Sequence, residues 1–453
     1  MNRCEMGDHM GRRAFFHLRH TLVFSLLLLC ISLNAFAAEK PNIIIIIADD
    51  MGWRDTGYGG DPYIKTPALD EMAAKGIRFN YFYAAGQKCC PGRYAILTGR
   101  SPVRGGILGN DPILPRETTL ARALKNAGYQ SAYFGKWHLG KGPTTNPIAM
   151  GYDQAIWKQT QFDLDPSFMV NNSKEFIQKK GDGSVALMEL VDNYIEKQVK
   201  SHQPFFVTVG FAAPHDPHFA APEFGALYKN LPHEQAQFFG EISGLDAAVG
   251  ALRQNLRRLG AAENTLVWFM SDNGAPRNDR LDPSKRGKGQ IGARTVALLE
   301  WPGHIQQPRI VNMPCGHVDV YPTILDITGT RVTDQPIIDG ISLLPLLDNK
   351  MSVRPKPLGF MLFEYPREKV PTLDFVTDTQ RIWIDGEYEL NLEDSRYKGA
   401  TPVRLFDIFK DPAHKNNLAA QLPDVVRRMR NALEEWQRSV RSSYDGKDIV
   451  TKK

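Results

Sequence analysis

The chain has 453 residues, enough for one large or two moderate domains with a substantial core. Apolar residues make up 42% and charged residues 23%, which excludes a low-complexity, collagen-like or disordered chain. The net charge of +5 is spread thinly, and no Lys/Arg block is long enough to argue for a nucleic-acid partner.

The first 37 residues read as a secretory signal peptide. Basic "GRRAFFHLRH" precedes apolar "TLVFSLLLLCISL", and Ala35-Phe36-Ala37 offers a small-residue cleavage site near Ala37. The expected location is therefore periplasmic or extracellular. No later apolar run is long enough to span a bilayer, so no membrane contact is expected after cleavage. Four arginines and two acids leave with the leader, taking the net charge from +5 to +3. Five cysteines become three: Cys89, Cys90 and Cys315. An odd count leaves at least one thiol unpaired or chemically altered, and neighbouring cysteines rarely bond each other. Whether Cys90 and Cys315 pair stays open.

From residue 38 the pattern alternates between apolar runs of strand length and helical stretches. "NIIIIIA" (42–48) reads as a strand buried on both faces, followed by helix-like "TPALDEMAAKG" (66–76). "CCPGRYAILTG" reads as a helix with Pro91 in its first turn and Gly99 at its C-terminal cap. Helix-like 118–128 leads into strand "YQSAYFG" (129–135). Helix-like 184–202 leads into strand "FFVTVGF" (205–211), and an amphipathic stretch, 233–259, leads into strand "TLVWFMS" (265–271). Such alternation predicts an α/β fold, a mostly parallel central sheet with helices on both faces. After about residue 350 the texture changes to short strands and a closing helix, 422–440. This predicts a catalytic domain over 38–350 and a smaller α+β subdomain of antiparallel strands and a helix over 351–453.

Four strands run into polar clusters: Asp49-Asp50, Lys136 with His138, His215 with His218, and Asp272-Asn273. Each alone reads as an ordinary turn or solvated loop. Their repeated position matters, because open parallel sheets bind ligands beyond the carboxyl ends of their strands. Asp49, Asp50, Asp272 and Asn273 are hard oxygen donors, suited to Ca²⁺ or Mg²⁺ rather than zinc. Two such carboxylates ~4 Å apart would repel by about 4 kcal/mol at an effective dielectric near 20, which a divalent ion removes. Arg93, Lys136, His138, His215 and Lys288 would suit an anionic substrate whose charge shifts in the transition state. Cys89 and Cys90 sit at a helix N-terminus, which favours anions, and Arg93 is one turn away, within reach of Cys89.

"CCPGRYAILTGR" resembles the signature of the type I sulfatases of the alkaline phosphatase superfamily: Cys-x-Pro-Ser-Arg, four residues, Thr-Gly. Cys89, Pro91, Arg93, Thr98 and Gly99 match it; Gly92 stands where the family usually has Ser. "PNIIIIIADDMGW", "GKWHLG", "APHDPH", "SDNG", "RGKG" before "WPG", "HVDVYPTILDITG", "DGISLLPLL" and "LFDIFKDPAHKNNLA" are similar to further family stretches in the family's order. The family's Glu-Gly-Gly-x-Arg segment is replaced by "QIGARTVALLE", in which Arg294 keeps the Arg position.

The resemblance implies a sulfatase acting on sulfated carbohydrate. A maturation enzyme would oxidise Cys89 to formylglycine, and one hydroxyl of its hydrate would attack sulfur. The second hydroxyl would then lose its proton, so that the aldehyde re-forms and sulfate leaves. Asp49, Asp50, Cys89, Asp272 and Asn273 would surround a Ca²⁺, with Mg²⁺ as the alternative. Arg93 and Lys136 would stabilise the diol, and His138 would take the proton that releases sulfate. Lys136, His215 and Lys288 would hold the sulfate, with His215 or Lys288 protonating the leaving alcohol. The main rival is a phosphoester or phosphonate hydrolase of the same superfamily. Others are a hydrolase using an unmodified Cys89 and a non-catalytic sugar binder.

Overall fold

A computed structural model describes residues 40–274, 294–363, 379–395, 399–400 and 403–448. The predicted signal peptide and Lys288 lie outside the described residues. Strand β1 (Asn42–Ala48) is the centre of the molecule. Its side chains alternate with the pleat: Ile43, Ile45 and Ile47 enter one core, Ile44 and Ile46 the other. All five are fully buried, which explains why the run is β-branched and unbroken by polar residues. Burying each such side chain contributes about 1.5–3 kcal/mol.

Around β1 lie β2 (Ile77–Phe79), β3 (Gln130–Lys136), β4 (Gln154–Lys158), β5 (Ser167–Val170), β6 (Phe176–Gln178) and β7 (Phe205–Gly210). The sheet is completed by β8 (Thr265–Ser271), β9 (Ala297–Glu300) and β10 (Arg309–Val311). Among the described residues the order is β10-β2-β9-β8-β1-β7-β3-β4-β5-β6. The middle five, β8-β1-β7-β3-β4, are parallel; β9 and the β5–β6 hairpin run antiparallel to their neighbours. Helices α1 (Pro67–Lys75), α4 (Gly183–Lys200) and α5 (His233–Arg258) cover the Ile44/Ile46 face. Helices α2 (Cys89–Thr98), α3 (Leu120–Lys125) and α6 (Val320–Ile327) cover the other. The mostly parallel sheet with helices on both faces is the fold the alternation predicts.

A separate antiparallel sheet follows, β11 (Leu358–Phe363), β12 (Thr379–Asp385), β13 (Tyr388–Ser395) and β14 (Arg404–Asp407). Helix α7 (Pro423–Tyr444) covers it through Met429, Leu433, Trp436 and Val440, one apolar stripe at helical spacing. A buried carboxylate locks this region to the α2 side. Asp339 takes two bonds from the Arg104 guanidinium at 2.8 Å, one from the Ser101 amide at 2.6 Å, and one from Trp436 Nε1 at 2.8 Å. Among the described residues no helix is long and apolar enough to cross a membrane.

Candidate active site

Sheet register assembles the site. Ala48 lies beside Ser271, Ile47 beside Gly210, and Gly210 beside Gly135. The residues that follow, Asp49, Asp272, Phe211 and Lys136, therefore emerge together at one edge of the sheet. Backbone bonds hold the strand ends: Asp272 N–H donates to Ala48 O at 3.0 Å, and Phe211 N–H to Ile47 O at 2.8 Å. Asp50 then turns with φ of 67°, a left-handed conformation that Asp tolerates better than most residues. The turn brings its amide to Asp272 Oδ1 at 3.3 Å.

Helix α2 enters this edge with Cys89 and Cys90 in its first turn and ends on Gly99, whose φ of 69° makes the left-handed cap the sequence predicts. The Cys89 sulfur lies 4.0 Å from Asp50 Oδ1 and 3.6 Å from Lys136 Nζ. Burial, then the charges of Asp272 and Asp49, push the Cys89 thiol well above its ordinary range. As a plain thiol it is therefore held protonated, the opposite of an activated cysteine nucleophile. Cys90 donates to Asp111 O at 2.9 Å and Cys315 to Met313 O at 3.4 Å; all three described cysteines are free.

Arg93 does not reach back to Cys89, as its spacing led us to expect. Its Nε donates to Asp272 Oδ2 at 2.8 Å, and its Nη1 donates to Lys136 O. Nη2 lies 3.8 Å from Asp49 Oδ1. The reason is depth: Arg93 is fully buried on the sheet side of α2, where two carboxylates and a carbonyl outcompete a thiol. Lys136 is ion-paired with Asp49. Burial would drive its ammonium down, but Asp49, together with Cys89 and Asp272, outweighs this, and the group is raised.

Asp50 and Asp272 are both raised, first by burial and then by a neighbouring carboxylate, Asp272 for Asp50 and Asp49 for Asp272. Asp49 Oδ1 and Asn273 Oδ1 are buried acceptors without a hydrogen-bond donor. Such orphans are costly unless something positive meets them. Ligand atoms of Asp49, Asp50, Cys89 and His215 all fall within 4.8 Å of one another. Hard oxygens, mutual repulsion and two orphan acceptors are the donor set a divalent cation fits. Asp272, expected beside Asp49, Asp50, Cys89 and Asn273, accepts from the Asp50 amide at Oδ1 and from Arg93 Nε at Oδ2, and His215 Nε2 stands 3.7 Å from Asp50 Oδ2.

His138 follows β3 with φ of 56°. Burial, then Lys136 and Arg93, lower its imidazole to about 4, so it is neutral near pH 7. Its Nδ1 is buried without a partner. His215 Nδ1 donates to Asp216 O at 2.6 Å, leaving Nε2 toward the carboxylates. Three supporting residues were not singled out from sequence. Tyr133 donates to Lys136 O, and Gln161 rests against His215. His317 sits buried behind the site, its Nε2 donating to Ser271 O at 2.9 Å. Tyr133 reads as one more apolar strand position, Gln161 sits in a stretch with no distinguishing local pattern, and His317 opens "HVDVYPTILDITG", a family-like stretch that assigns it no role.

A family model for sulfatases matches residues 41–330, more than half of the chain. The chain belongs to the sulfatase family. N-acetylgalactosamine-6-sulfatase of Mus musculus is 32% identical over 368 residues, covering 71% of this chain and 69% of that protein. The ulvan-active sulfatase of Formosa agariphila is 29% identical over 420 residues, covering 84% and 77%. The crystal structure of Ps i-CgsB in complex with k-i-k-neocarrahexaose is 25% identical with a TM-score of 0.78, covering 88% of this chain and 93% of that one. This sulfatase is thus a type I member of the alkaline phosphatase superfamily and a sulfuric ester hydrolase.

Proposed function

We propose that this sulfatase hydrolyses sulfate esters of a carbohydrate outside the cytoplasm, after export under the leader of residues 1–37 and maturation of Cys89 to formylglycine. The observation that carries the reading is the Cys89 sulfur seated among Asp50, Lys136 and two orphan acceptors, at the mouth of a sheet whose family is sulfatase. The carbohydrate reading is supported by relatives acting on ulvan and on N-acetylgalactosamine-6-sulfate, as their names state. The catalytic portion is assigned to residues 38–350, with 351–453 as the C-terminal subdomain.

The thiol sulfur marks where the oxygens of the mature side chain would stand. A formylglycine hydrate there supplies an oxygen nucleophile with its own exit, since the second hydroxyl can expel the bound sulfate. Asp49, Asp50, Asp272 and Asn273 would hold Ca²⁺, with Mg²⁺ as the alternative; when bound, the ion supplies positive charge to polarise the sulfate. Lys136, 3.6 Å from the Cys89 sulfur, would stabilise negative charge at position 89, and Arg93 holds Asp272 and the Lys136 carbonyl in place behind it. His138, neutral and unpartnered at Nδ1, accepts the proton that releases sulfate. His215 would protonate the departing alcohol through Nε2; Lys288, the other expected sulfate-binding group, lies outside the described residues.

The test is mass spectrometry of the peptide around residue 89, on protein made with a formylglycine-generating enzyme, alongside assays of sulfate and phosphate esters of one sugar alcohol. An aldehyde at 89 and preference for the sulfate ester are expected. Full turnover with an intact thiol, or preference for phosphate, overturns the proposal.

A further inference from the structure

Three guanidiniums gather in one patch beside the site: Arg54, Arg78 and Arg294. Buried arginines elsewhere face carboxylates, as Arg104 does Asp339, Arg253 does Glu300 and Arg354 does Asp319. Among the described residues none of these three pairs with a carboxylate. Asp55 and Asp70 are engaged instead with backbone, accepting from the Gly52 amide at 2.7 Å and the Tyr58 amide at 2.8 Å.

Aromatic rings hold the arginines in place. The Arg294 guanidinium lies 3.8 Å from the ring centroid of Trp53 and 4.3 Å from that of Tyr81. Arg54 lies 5.1 Å from the same Trp53 ring, and Arg78 lies 4.9 Å from Tyr58. Stacking uses the face of a planar guanidinium and leaves its in-plane N–H edge for an oxyanion. Arg294 commits Nε to Asn80 O at 2.7 Å. Arg54 Nε is a buried donor with no acceptor, which is costly unless something negative meets the group. Burial lowers the Arg294 guanidinium from its ordinary value, Tyr83 and Tyr81 oppose this, and the like charges of Arg54 and Arg78 add to it. All three side chains are half-buried, so one part of each stays open to solvent.

The patch also stands at the catalytic edge of the sheet. Arg54 is four residues past Asp50, so their Cα atoms are at most about 14 Å apart. Gly52 bridges to Thr295, and Thr295 Oγ1 donates to Met51 O at 3.1 Å, fixing Arg294 against the same loop. Strand β2, which carries Arg78, is antiparallel to β9, and β9 is antiparallel to β8. Strand β2 therefore runs in the direction of β8 and ends on the side where Asp272 emerges.

We propose that Arg54, Arg78 and Arg294 form a second anion subsite, taking an oxyanion, sulfate ester or uronate carboxylate, of a sugar neighbouring the one that loses its ester. The substrate is then a glycan of repeated negative charge, not an isolated sulfated sugar; this rests on the carbohydrate reading above. Arg54 and Arg78 are the contacts to remove, because Arg294 also holds the Asn80 backbone.

The test is calorimetric binding to the full chain carrying Cys89→Ala, which cannot turn over, in buffer containing Ca²⁺. Sucrose octasulfate is the sulfate probe, trigalacturonate the carboxylate probe and p-nitrophenyl sulfate the single-anion control. Arg54→Gln and Arg78→Gln should each raise the Kd of at least one polyanion about 10-fold, and the double variant about 100-fold, while the control changes under about 3-fold. The probe that responds identifies the anion. Salt should weaken polyanion binding steeply in the parent and less in the double variant. Arg54→Lys with Arg78→Lys keeps charge but loses the planar fork; a loss of about 3–10-fold is expected, which keeps the test decisive if a Gln variant has a collapsed Tm. Unchanged polyanion Kd in folded variants, or an equal loss on the control, overturns the subsite and leaves the sulfatase reading to its own assays. If the arginines govern octasulfate binding but no carbohydrate sulfate is hydrolysed, the function above falls and the anion site stands.

Discussion

Gly92 offers a sharp prediction, because sequence and structure disagree about it. The family usually carries Ser at this position, so pattern alone favours Gly92→Ser as harmless. In the structure a Cβ at residue 92 would lie 1.8 Å from the Asp272 backbone oxygen, 2.8 Å from its carbonyl carbon and 3.2 Å from His317 Cε1. The first distance is roughly 1.5 Å short of ordinary van der Waals contact. Neither neighbour yields easily: the obstacle is backbone, and His317 is fully buried and bonded to Ser271 O. Either α2 or the Asp272 strand end must move, and both carry site residues. Overpacking of this kind costs about 1–3 kcal/mol. A displacement near 1 Å at the reacting groups costs about 100-fold in rate. Gly92→Ala is the cleaner probe because it adds only the Cβ. Tm and kcat on an aryl sulfate, normalised to formylglycine content, read both effects and separate them from poor maturation. A variant with wild-type Tm and wild-type kcat per formylglycine would refute the close packing of α2 on Asp272.

Cys89→Ser should give at most a single-turnover burst of released alcohol, because a serine sulfate has no second hydroxyl to expel it; steady turnover at wild-type rate in a stopped-flow assay would sink the diol. Stripping divalent ions with a chelator should lower Tm and abolish turnover, and readding Ca²⁺ or Mg²⁺ should restore both. Ligand at 100 times its Kd is worth about 2.7 kcal/mol, a shift that calorimetry detects readily. Asp339→Asn should destabilise by about 3–5 kcal/mol at neutral pH by leaving Arg104 buried and under-paired. Burial opposes the Asp339 charge, yet Arg104, the Ser101 amide and Trp436 hold its carboxyl below the usual range. A depressed carboxylate stabilises fully above its unfolded value near 4 and loses that contribution as pH falls through the folded value. The gap between wild type and Asp339→Asn in urea melts should therefore narrow below about pH 4; a constant gap would contradict the ion-pair account.

Much of this was legible along the chain, and the reason is local. Burial on both faces wrote β1 as five isoleucines, and helical spacing wrote α4, α5 and α7. Asp49-Asp50, "GKWHLG", "APHDPH" and "SDNG" announced themselves by following strands. What stayed hidden depends on partners distant in sequence. Strand β9 is four residues inside an irregular stretch and exists because β8 and β2 flank it. The β5–β6 hairpin is short and half-exposed, so no strong alternation marks it.

The amino-acid order by itself determined the donors, cations and helix caps on offer, since residue type and spacing carry charge and donor hardness; the sulfatase reading came from the resemblance of its motifs to that family. It could not say which way buried groups turn. Arg93 binds Asp272 rather than Cys89, His215 joins the carboxylates, and Gln161 meets His215, a residue 54 positions further along the chain. Those choices were made by competition among groups that only sheet register brings within a few ångströms of each other.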